Sequence, residues 1–321
     1  MNVFALAAIL AATLPNAWAQ SGPYPDHPVS VVVGFAAGGP TDLVARAFAE
    51  SAARSLGKPI IVDNRPGANT TIAATAVANA KPDGYTLLAA ATNHTMIPAL
   101  YTGRVKFDSL KSFKPVCTLA ASDTVLVVGP GMPVKSVEEF LARVRAKPNS
   151  YTYGTPGVGS SPHLATETFM RMTKTSMVHV PYKGAAPAIQ DLMGGQVDFS
   201  FATVGSVLPQ IKGGKLTALA VASRQRSALL PQVPTFEEAG VKGYQIDTWF
   251  GILVPAETPD AIVKVLERTA TEFGRSAAAR EKLQGIGLDS LTTCGDAFGA
   301  QIAREIEENK KLAADLNLKP D

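Results

Sequence analysis

The chain has 321 residues, of which 46% are hydrophobic and 18% are charged, and its formal net charge is +3. This length accommodates two domains with hydrophobic cores, and the composition excludes an intrinsically disordered chain, which needs low hydrophobicity and high net charge. The two cysteines, Cys117 and Cys294, are too few for a small disulfide-rich scaffold. Basic residues form no long run and aromatic residues make up only 7%, so we expect no nucleic-acid binding.

The N-terminal segment differs from the rest of the chain. Residues 3–14 are apolar and uncharged, and the small residues Ala17 and Ala19 follow at a spacing typical of a signal-peptide cleavage site. The apolar run is too short to span a bilayer, which takes about 20 residues. We predict a signal peptide that is cleaved near Ala19 and a periplasmic mature protein; the alternative is a buried N-terminal helix. Two cysteines in an oxidising compartment can pair, but their spacing leaves the pairing open.

Strands and helices alternate in the first part of the mature chain. Residues 29–35 form a nearly continuous apolar run that is rich in β-branched side chains, as in a strand buried on both faces. Thr41 and Asp42 are suitable N-cap residues for an amphipathic helix over 43–56. A small-residue helix is predicted at 70–80, between strands at 60–63 and 85–91. This order predicts a parallel, right-handed α/β sheet.

A second α/β unit is predicted from residue 124 onward. Ser136 and Glu139 have the spacing of a capping box that begins a helix ending near 145, and Pro162 can begin another that runs to about 172. Strands are predicted at 124–128, 151–154, 177–180, 197–202, 216–222 and 246–254. Helices are predicted at 185–193, 203–211, 261–273, 277–283 and 297–312. We therefore expect an α/β protein with two lobes, in three segments: a signal peptide (1–19), lobe I (20–123 plus 246–321) and lobe II (124–245).

Catalytic and metal-binding motifs are weak. Neither a G-x-S-x-G nucleophile elbow nor a Walker loop occurs, and the G-x-G that begins at Gly157 is not completed, because Pro162 occupies its last position. The four histidines lack metal-ligand spacing, so we expect no metal and no cofactor. A secreted α/β hydrolase that uses Ser160 or Ser161 with His163 is the alternative to a binding protein.

Four strands end in small-residue loops that begin a helix, at 35–42, 91–93, 154–163 and 202–206. In open parallel sheets such loops lie at the carboxyl ends of the strands, where ligands bind. Free N–H groups at helix starts favour an anion, and these loops contain no Lys or Arg. Ordinary turn chemistry explains any single loop, but four of them in an exported chain favour a binding site for a small carboxylate.

Several stretches of the sequence resemble one known family. They include VVVGFAAGGPTDLVAR (31–46), NRPGANTTIAA (64–74), YTYGTPGVGSSPHLATETF (151–169) and HVPYKGAAPAIQDLMGGQVDFSFA (179–202). The chain resembles the Bug family, the TctC-like periplasmic receptors of tripartite tricarboxylate transporters. The resemblance runs from about residue 24 to the C-terminus. It implies a type II periplasmic binding protein fold, with each lobe a mainly parallel sheet flanked by helices and a ligand cleft between the lobes.

The same resemblance implies a function and a set of binding residues. The protein is expected to be a monomer that captures a small organic carboxylate without catalysis, for membrane transporter subunits or a sensor. In the family the carboxylate lies against the first strand–helix loop of each lobe, here Phe35, Ala36, Gly39, Thr41 and Asp42, and Gly157, Gly159, Ser160, Ser161 and His163. Wall or lid positions are expected at Asn93, Tyr182, Ala202 and Thr203. For Asp42 two roles stay open, an N-cap and an acceptor for a ligand ammonium or hydroxyl group.

Overall fold

The structure, a computed structural model, describes residues 24–244 and 246–315. The predicted signal peptide and its cleavage site lie outside the described residues. Within the described ranges, no helix combines the length and the apolar character that crossing a bilayer requires.

The described chain begins with the predicted alternation of strands and helices. Its elements are β1 (Val29–Val33), α1 (Pro40–Leu56), β2 (Ile60–Asn64), α2 (Thr71–Ala78), β3 (Thr86–Ala91) and α3 (Ile97–Leu100). The strands pair in parallel in the order β2-β1-β3, which confirms the parallel sheet predicted from the sequence. Helices cover both faces of this sheet, so β1 is buried almost throughout.

The longest strand, β4 (Phe113–Val128), belongs to both lobes. The sequence pattern predicted a strand only from residue 124, because Pro115 and the run of small and polar residues after it weaken the β-strand pattern. In the structure the segment from Phe113 to Asp123 pairs antiparallel with the strand Asp247–Pro255, and the register of this pairing shifts next to Pro115. Residues 124–128 pair instead with strands of the second lobe.

The second lobe contains the end of β4 and four further strands. Its elements are α4 (Val137–Ala146), β5 (Thr152–Thr155), α5 (Ser161–Thr173), β6 (Val178–Pro181), α6 (Ala185–Met193), β7 (Phe199–Thr203), α7 (Val204–Lys212) and β8 (Thr217–Val221). The strand order is β8-β4-β7-β5-β6, with β4 antiparallel to both of its neighbours and β5 parallel to β6 and β7. The carboxyl ends of β5 and β7 therefore lie at the same edge of the sheet.

The last part of the chain returns to the first lobe. Its elements are β9 (Asp247–Pro255), α8 (Asp260–Arg275), α9 (Ala277–Gly285), β10 (Asp289–Ser290) and α10 (Gly295–Asp315). Strand β9 is inserted between β3 and β4, antiparallel to both. A disulfide bond joins Cys117 to Cys294, which settles the pairing that the sequence left open.

Each lobe has its own hydrophobic core. In the first lobe, Phe48, Phe250 and Phe273 pack together with three of the four valines of β1. In the second lobe the core is centred on Phe169 and Phe201. We use the predicted boundaries, at 123/124 and 245/246, as names for lobe I and lobe II.

Candidate functional site

A cleft between the lobes holds about 600 Å³ of space, part of it open to solvent. Its lining residues come from strand ends and helix starts of both lobes. Among the described residues that line it, none carries a charged side chain. Eight of the residues predicted from the sequence line this cleft: Phe35, Gly39, Thr41, Asn93, Ser160, Ser161, Ala202 and Thr203.

Four helices begin at the cleft: α1 at Pro40, α5 at Ser161, α6 at Ala185 and α7 just after Thr203. A helix N-terminus carries roughly half a positive charge and presents N–H groups that lack intrahelical partners. In α1 the first N–H group that donates to a backbone carbonyl oxygen is that of Leu43, which bonds to Gly39 O at 3.0 Å. The cleft therefore receives partial positive charge from the N–H groups of helix starts, without a basic side chain among the described lining residues.

The start of α1 differs from the sequence prediction. The helix begins at Pro40, and its N-cap is Gly39, which has no side chain to form a capping hydrogen bond. The prediction that Thr41 or Asp42 is the N-cap was wrong, because Pro40 is favoured at the first position of a helix and moves the helix start toward the N-terminus. Thr41 instead lies in the first turn and lines the cleft.

Asp42 stabilises the loop between β1 and α1 through its hydrogen bonds. Its carboxylate accepts hydrogen bonds from the N–H of Gly38, from Nε of Arg46 and from Nδ2 of Asn64, each at 2.9 Å. Burial on its own raises the pKa of Asp42, but the bonds from Arg46, Gly38 and Asn64 outweigh it, so the pKa lies below 3.8. Asp42 does not line the cleft, and its acceptor atoms are already bonded within the protein.

The loop of lobe II is held by its own hydrogen bonds. The N-cap of α5 is Ser160, whose Oγ donates to Gly157 O at 2.6 Å and accepts from the N–H of His163 at 3.4 Å. The N–H of Gly159 donates to Nδ1 of His163 at 3.1 Å. These contacts fix the shape of the loop that faces lobe I.

His163 acts in this loop as a neutral acceptor. Burial and the neighbouring His179, whose ring stacks on it at 4.3 Å, lower the pKa of His163 to about 3. Ser160 directs its proton to a carbonyl oxygen, and Ser161 pairs with the hydroxyl of Thr248 at 2.6 Å. Neither serine is bonded to a histidine ring that could act as its base, so the geometry does not support a hydrolase.

The two lobes touch across the cleft. The bond between Ser161 and Thr248 joins α5 of lobe II to β9 of lobe I. Gly159 lies so close to lobe I that a Cβ at this position would be 2.5 Å from Leu100 and 2.6 Å from Asn69. The structure therefore shows the lobes in a closed arrangement.

Asn93 lies in the cleft wall, on the lobe I side. Its Nδ2 donates to the side-chain oxygens of Asn69 and Thr70, at 3.2 and 2.9 Å, and to Asn69 O at 3.3 Å. Its Oδ1 is buried and has no hydrogen-bond partner among residues 24–244 and 246–315. The amide therefore presents only an acceptor for further bonds.

The remaining predicted residues do not line the cleft: Ala36, Asp42, Gly157, Gly159, His163 and Tyr182. Most of them shape or support the lining loops, as Asp42 and His163 do. Tyr182 lies outside the wall, where its hydroxyl donates to Asp191 at 2.7 Å. Ala36 packs near Gly184, where an added Cβ would come within 3.3 Å of it.

Sequence reasoning missed part of the lining. Thr248 and Phe250 reach the cleft because β9 is inserted beside β3, a pairing that no local pattern shows. Ala185, Ala188 and Ile189 line it from α6. Their spacing of three and four residues puts them on one helix face, which was a usable signal.

The comparisons with known proteins agree with this geometry. The family model described as "Tripartite tricarboxylate transporter family receptor" matches residues 44–318. BugT of Bordetella pertussis is 33% identical over 285 residues, which cover 88% of this chain and 87% of BugT. The solved structure of the periplasmic binding protein BugD has a TM-score of 0.88 and 31% identity, over 93% of this chain and 100% of that one. The structure of R. palustris Rpa4515 with adipate has a TM-score of 0.89 and 33% identity, with the same coverage.

Proposed function

The chain belongs to the receptor family of tripartite tricarboxylate transporters, and it is a periplasmic solute-binding receptor rather than an enzyme; we propose that its ligand is a small organic carboxylate. One observation carries the proposal: four helix starts converge on a cleft in which no described lining residue is charged. A similar structure was solved with adipate, a carboxylate, which supports the same ligand class.

Backbone donors supply the binding energy in this proposal. A hydrogen bond to a charged group contributes about 1.5–3 kcal/mol, and a helix N-terminus contributes up to about 2 kcal/mol in a favourable, partly buried geometry. The carboxylate bridges the start of α1, at Thr41, and the start of α5, at Ser161. Because it contacts both lobes, the ligand favours the closed arrangement over the open one.

The residues behind these loops have positioning roles. Asp42 holds the loop of lobe I, and Ser160 with His163 holds the loop of lobe II, through the hydrogen bonds described above. Asn93, Ala202 and Thr203 form parts of the wall. Neutral donors that are fixed in advance bind an anion without the cost of desolvating a lysine or arginine.

Further parts of the proposal concern the protein as a whole. We infer that the mature chain begins after cleavage near Ala19 and is a monomer. Its two lobes, divided at 123/124 and 245/246, move about the strands that connect them. The captured ligand is delivered to membrane transporter subunits, with a sensor as the other candidate partner.

The test compares a carboxylic acid with its methyl ester by calorimetry. The probe is the carboxylate that mass spectrometry identifies in the purified protein or, if none is carried through, adipate, and every carboxylate of the probe is esterified in the comparison compound. Esterification removes the charge, so affinity should fall at least about tenfold, which corresponds to 1.4 kcal/mol. Equal affinities for the acid and the ester would falsify the carboxylate assignment.

A further inference from the structure

Helix α10 carries two polar side chains on the face that packs against lobe I. The buried apolar residues Phe298, Ile302 and Ile306 follow one another at a spacing of four, which defines this face. Glu305 lies three positions after Ile302, and Asn309 lies three after Ile306, so both share it. Both are half-buried, and neither lines the cleft. Because a polar group is costly to bury unless it is hydrogen-bonded, the partners of these two residues explain why they are there.

Glu305 holds the indole ring of Trp249. Its Oε2 accepts a hydrogen bond from Nε1 of Trp249 at 2.8 Å, and its Oε1 accepts one from Nε2 of Gln301 at 2.8 Å. Phe298 packs edge-on against the same indole, with ring centroids 5.0 Å apart. Burial raises the pKa of Glu305 in spite of these hydrogen bonds, so at neutral pH the ionised carboxylate lowers the stability of the folded protein. The cost suggests a role other than stability.

Trp249 lies between two residues of the cleft lining. Side chains alternate across a strand, so Thr248 and Phe250 point away from the face of β9 that carries Trp249, and both line the cleft. The N–H of Trp249 donates to Oγ1 of Thr92 at 2.9 Å, and Thr92 lines the cleft as well. Thr248 also forms the bond to Ser161 of lobe II. A displacement of Trp249 therefore moves three lining residues.

Asn309 holds the same part of the lining at a second point. Its Nδ2 donates to Oγ1 of Thr95 at 2.7 Å. Thr95 ends the 3-10 turn Thr92–Thr95, and its Oγ1 donates to Thr92 O at 2.7 Å. The first two residues of this turn line the cleft. Helix α10 thus supports the lining from outside the cleft through two polar contacts.

On this basis, and resting on the proposed function, we propose that Glu305 is a positioning residue for ligand binding. It does not touch the ligand; it acts through Trp249 and fixes the three lining residues that adjoin the indole-bearing position. Glu305→Leu leaves the buried Nε1 of Trp249 without its acceptor, so the indole and the strand segment around it leave their positions. Glu305→Gln keeps an acceptor oxygen for Nε1, and Gln301 can turn its own amide to accept from the new N–H.

The test measures the affinities of succinate, adipate and benzoate by calorimetry and follows the compound that the wild type binds tightest. Glu305→Leu should weaken its binding about tenfold, and Glu305→Gln should restore the wild-type affinity. Glu308→Leu is the matched control, because Glu308 is an exposed carboxylate on the same helix that pairs only with Arg304. Unchanged affinity in Glu305→Leu overturns the inference, and so does an equal loss in Glu305→Gln or in Glu308→Leu.

Tryptophan fluorescence tests the route through Trp249. The sequence contains two tryptophans, so in a Trp18→Phe background Trp249 is the only one. Its emission maximum should shift in Glu305→Leu and stay at the wild-type position in Glu305→Gln and Glu308→Leu. A loss of affinity in Glu305→Leu without a change in emission contradicts the route through the indole.

The same measurements separate this inference from the proposed function. Equal affinity of the wild type for an acid and its methyl ester contradicts the carboxylate ligand, but the difference between Glu305→Leu and Glu305→Gln still decides the role of Glu305 with that compound. Failure of all three acids to bind to the wild type contradicts both.

Discussion

Single residues behind the cleft decide the shape of its lining loops. Asp42 is buried, and its carboxylate accepts three hydrogen bonds, two of which hold the strand–helix loop to Asn64 and to the N–H of Gly38. We expect Asp42→Asn to lower the free energy of unfolding by about 1–3 kcal/mol, because a bond to a buried charged group is lost. Urea unfolding measures the loss. Glu50→Gln, which removes an exposed partner of Arg54 and Lys282, is the matched control and should have little effect.

The effect of Asp42 also depends on pH in a defined direction. Its pKa is below 3.8 in the folded protein, so the stabilisation is complete above 3.8 and is lost as the pH falls through the lowered value. The difference in stability between the wild type and Asp42→Asn should therefore shrink in acid. A difference that persists unchanged well below pH 3.8 contradicts the assigned role of the carboxylate.

Two histidines of lobe II, the buried His163 and the half-buried His179, predict a second pH dependence, which arises from desolvation of the imidazole rings. Burial lowers the pKa of His163 to about 3, and burial also lowers that of His179 to about 4. Between these values and 6.5 the unfolded chain binds protons that the folded protein does not, so stability should rise with pH across this window. His163→Gln should flatten this rise in unfolding measurements from pH 4 to pH 7.

At the scale of elements, the start of α5 contains a serine that caps the helix, Ser160, and a serine for which we propose a ligand contact, Ser161. Ser160 is the N-cap, so Ser160→Ala should cost about 1 kcal/mol of stability. Ser161 bonds across the cleft to Thr248, so Ser161→Ala should weaken adipate binding by about 1–3 kcal/mol and change stability little. Unfolding and calorimetry on each variant separate the two effects.

A serine on another helix is a matched control for this pair. Ser136 caps α4, where its Oγ accepts from the N–H of Glu139 at 3.1 Å, and it does not line the cleft between the lobes. Ser136→Ala should lower stability about as much as Ser160→Ala and leave adipate affinity unchanged. If Ser161→Ala bound adipate as well as the wild type does, Ser161 would have no part in the site.

At the scale of the whole molecule, closure depends on the fit between the lobes. Val158 and Leu164 of lobe II pack with Met96 and Leu100 of lobe I. A side chain at Gly159 collides with Leu100 and Asn69, which belong to the other lobe. Gly159→Ala should therefore favour the open arrangement, enlarge the radius of gyration in small-angle scattering and weaken ligand binding at least tenfold.

The backbone strain of this substitution has to be separated from the collision. Gly159 has φ of +75°, and Gly195 has φ of +72° with no atom within 4 Å of an added Cβ. Gly195→Ala carries the same conformational cost without a contact between the lobes. It should lose stability but keep the wild-type radius and affinity, and a loss of affinity equal to that of Gly159→Ala would count against a role in closure.

The sequence by itself determined the features that depend on neighbours along the chain. The alternation of strands and helices predicted the parallel order of β1, β2 and β3, and Ser136 and Glu139 located the start of α4. Small-residue loops at helix starts predicted an anion site, because turn chemistry and helix dipoles act over a few residues. Eight of the residues that the family resemblance implied line the cleft.

Only the tertiary structure decided features that join distant segments. The insertion of β9 between β3 and β4 brings Thr248 and Phe250 to the cleft, and the same folding back of the chain pairs Cys117 with Cys294. Asp42 is of a residue type and at a position suited to an N-cap, but its hydrogen-bond partner Asn64 lies 22 residues away along the chain. These features depend on strand pairing and packing between segments far apart in sequence, and local propensity carries no information about which distant segments meet.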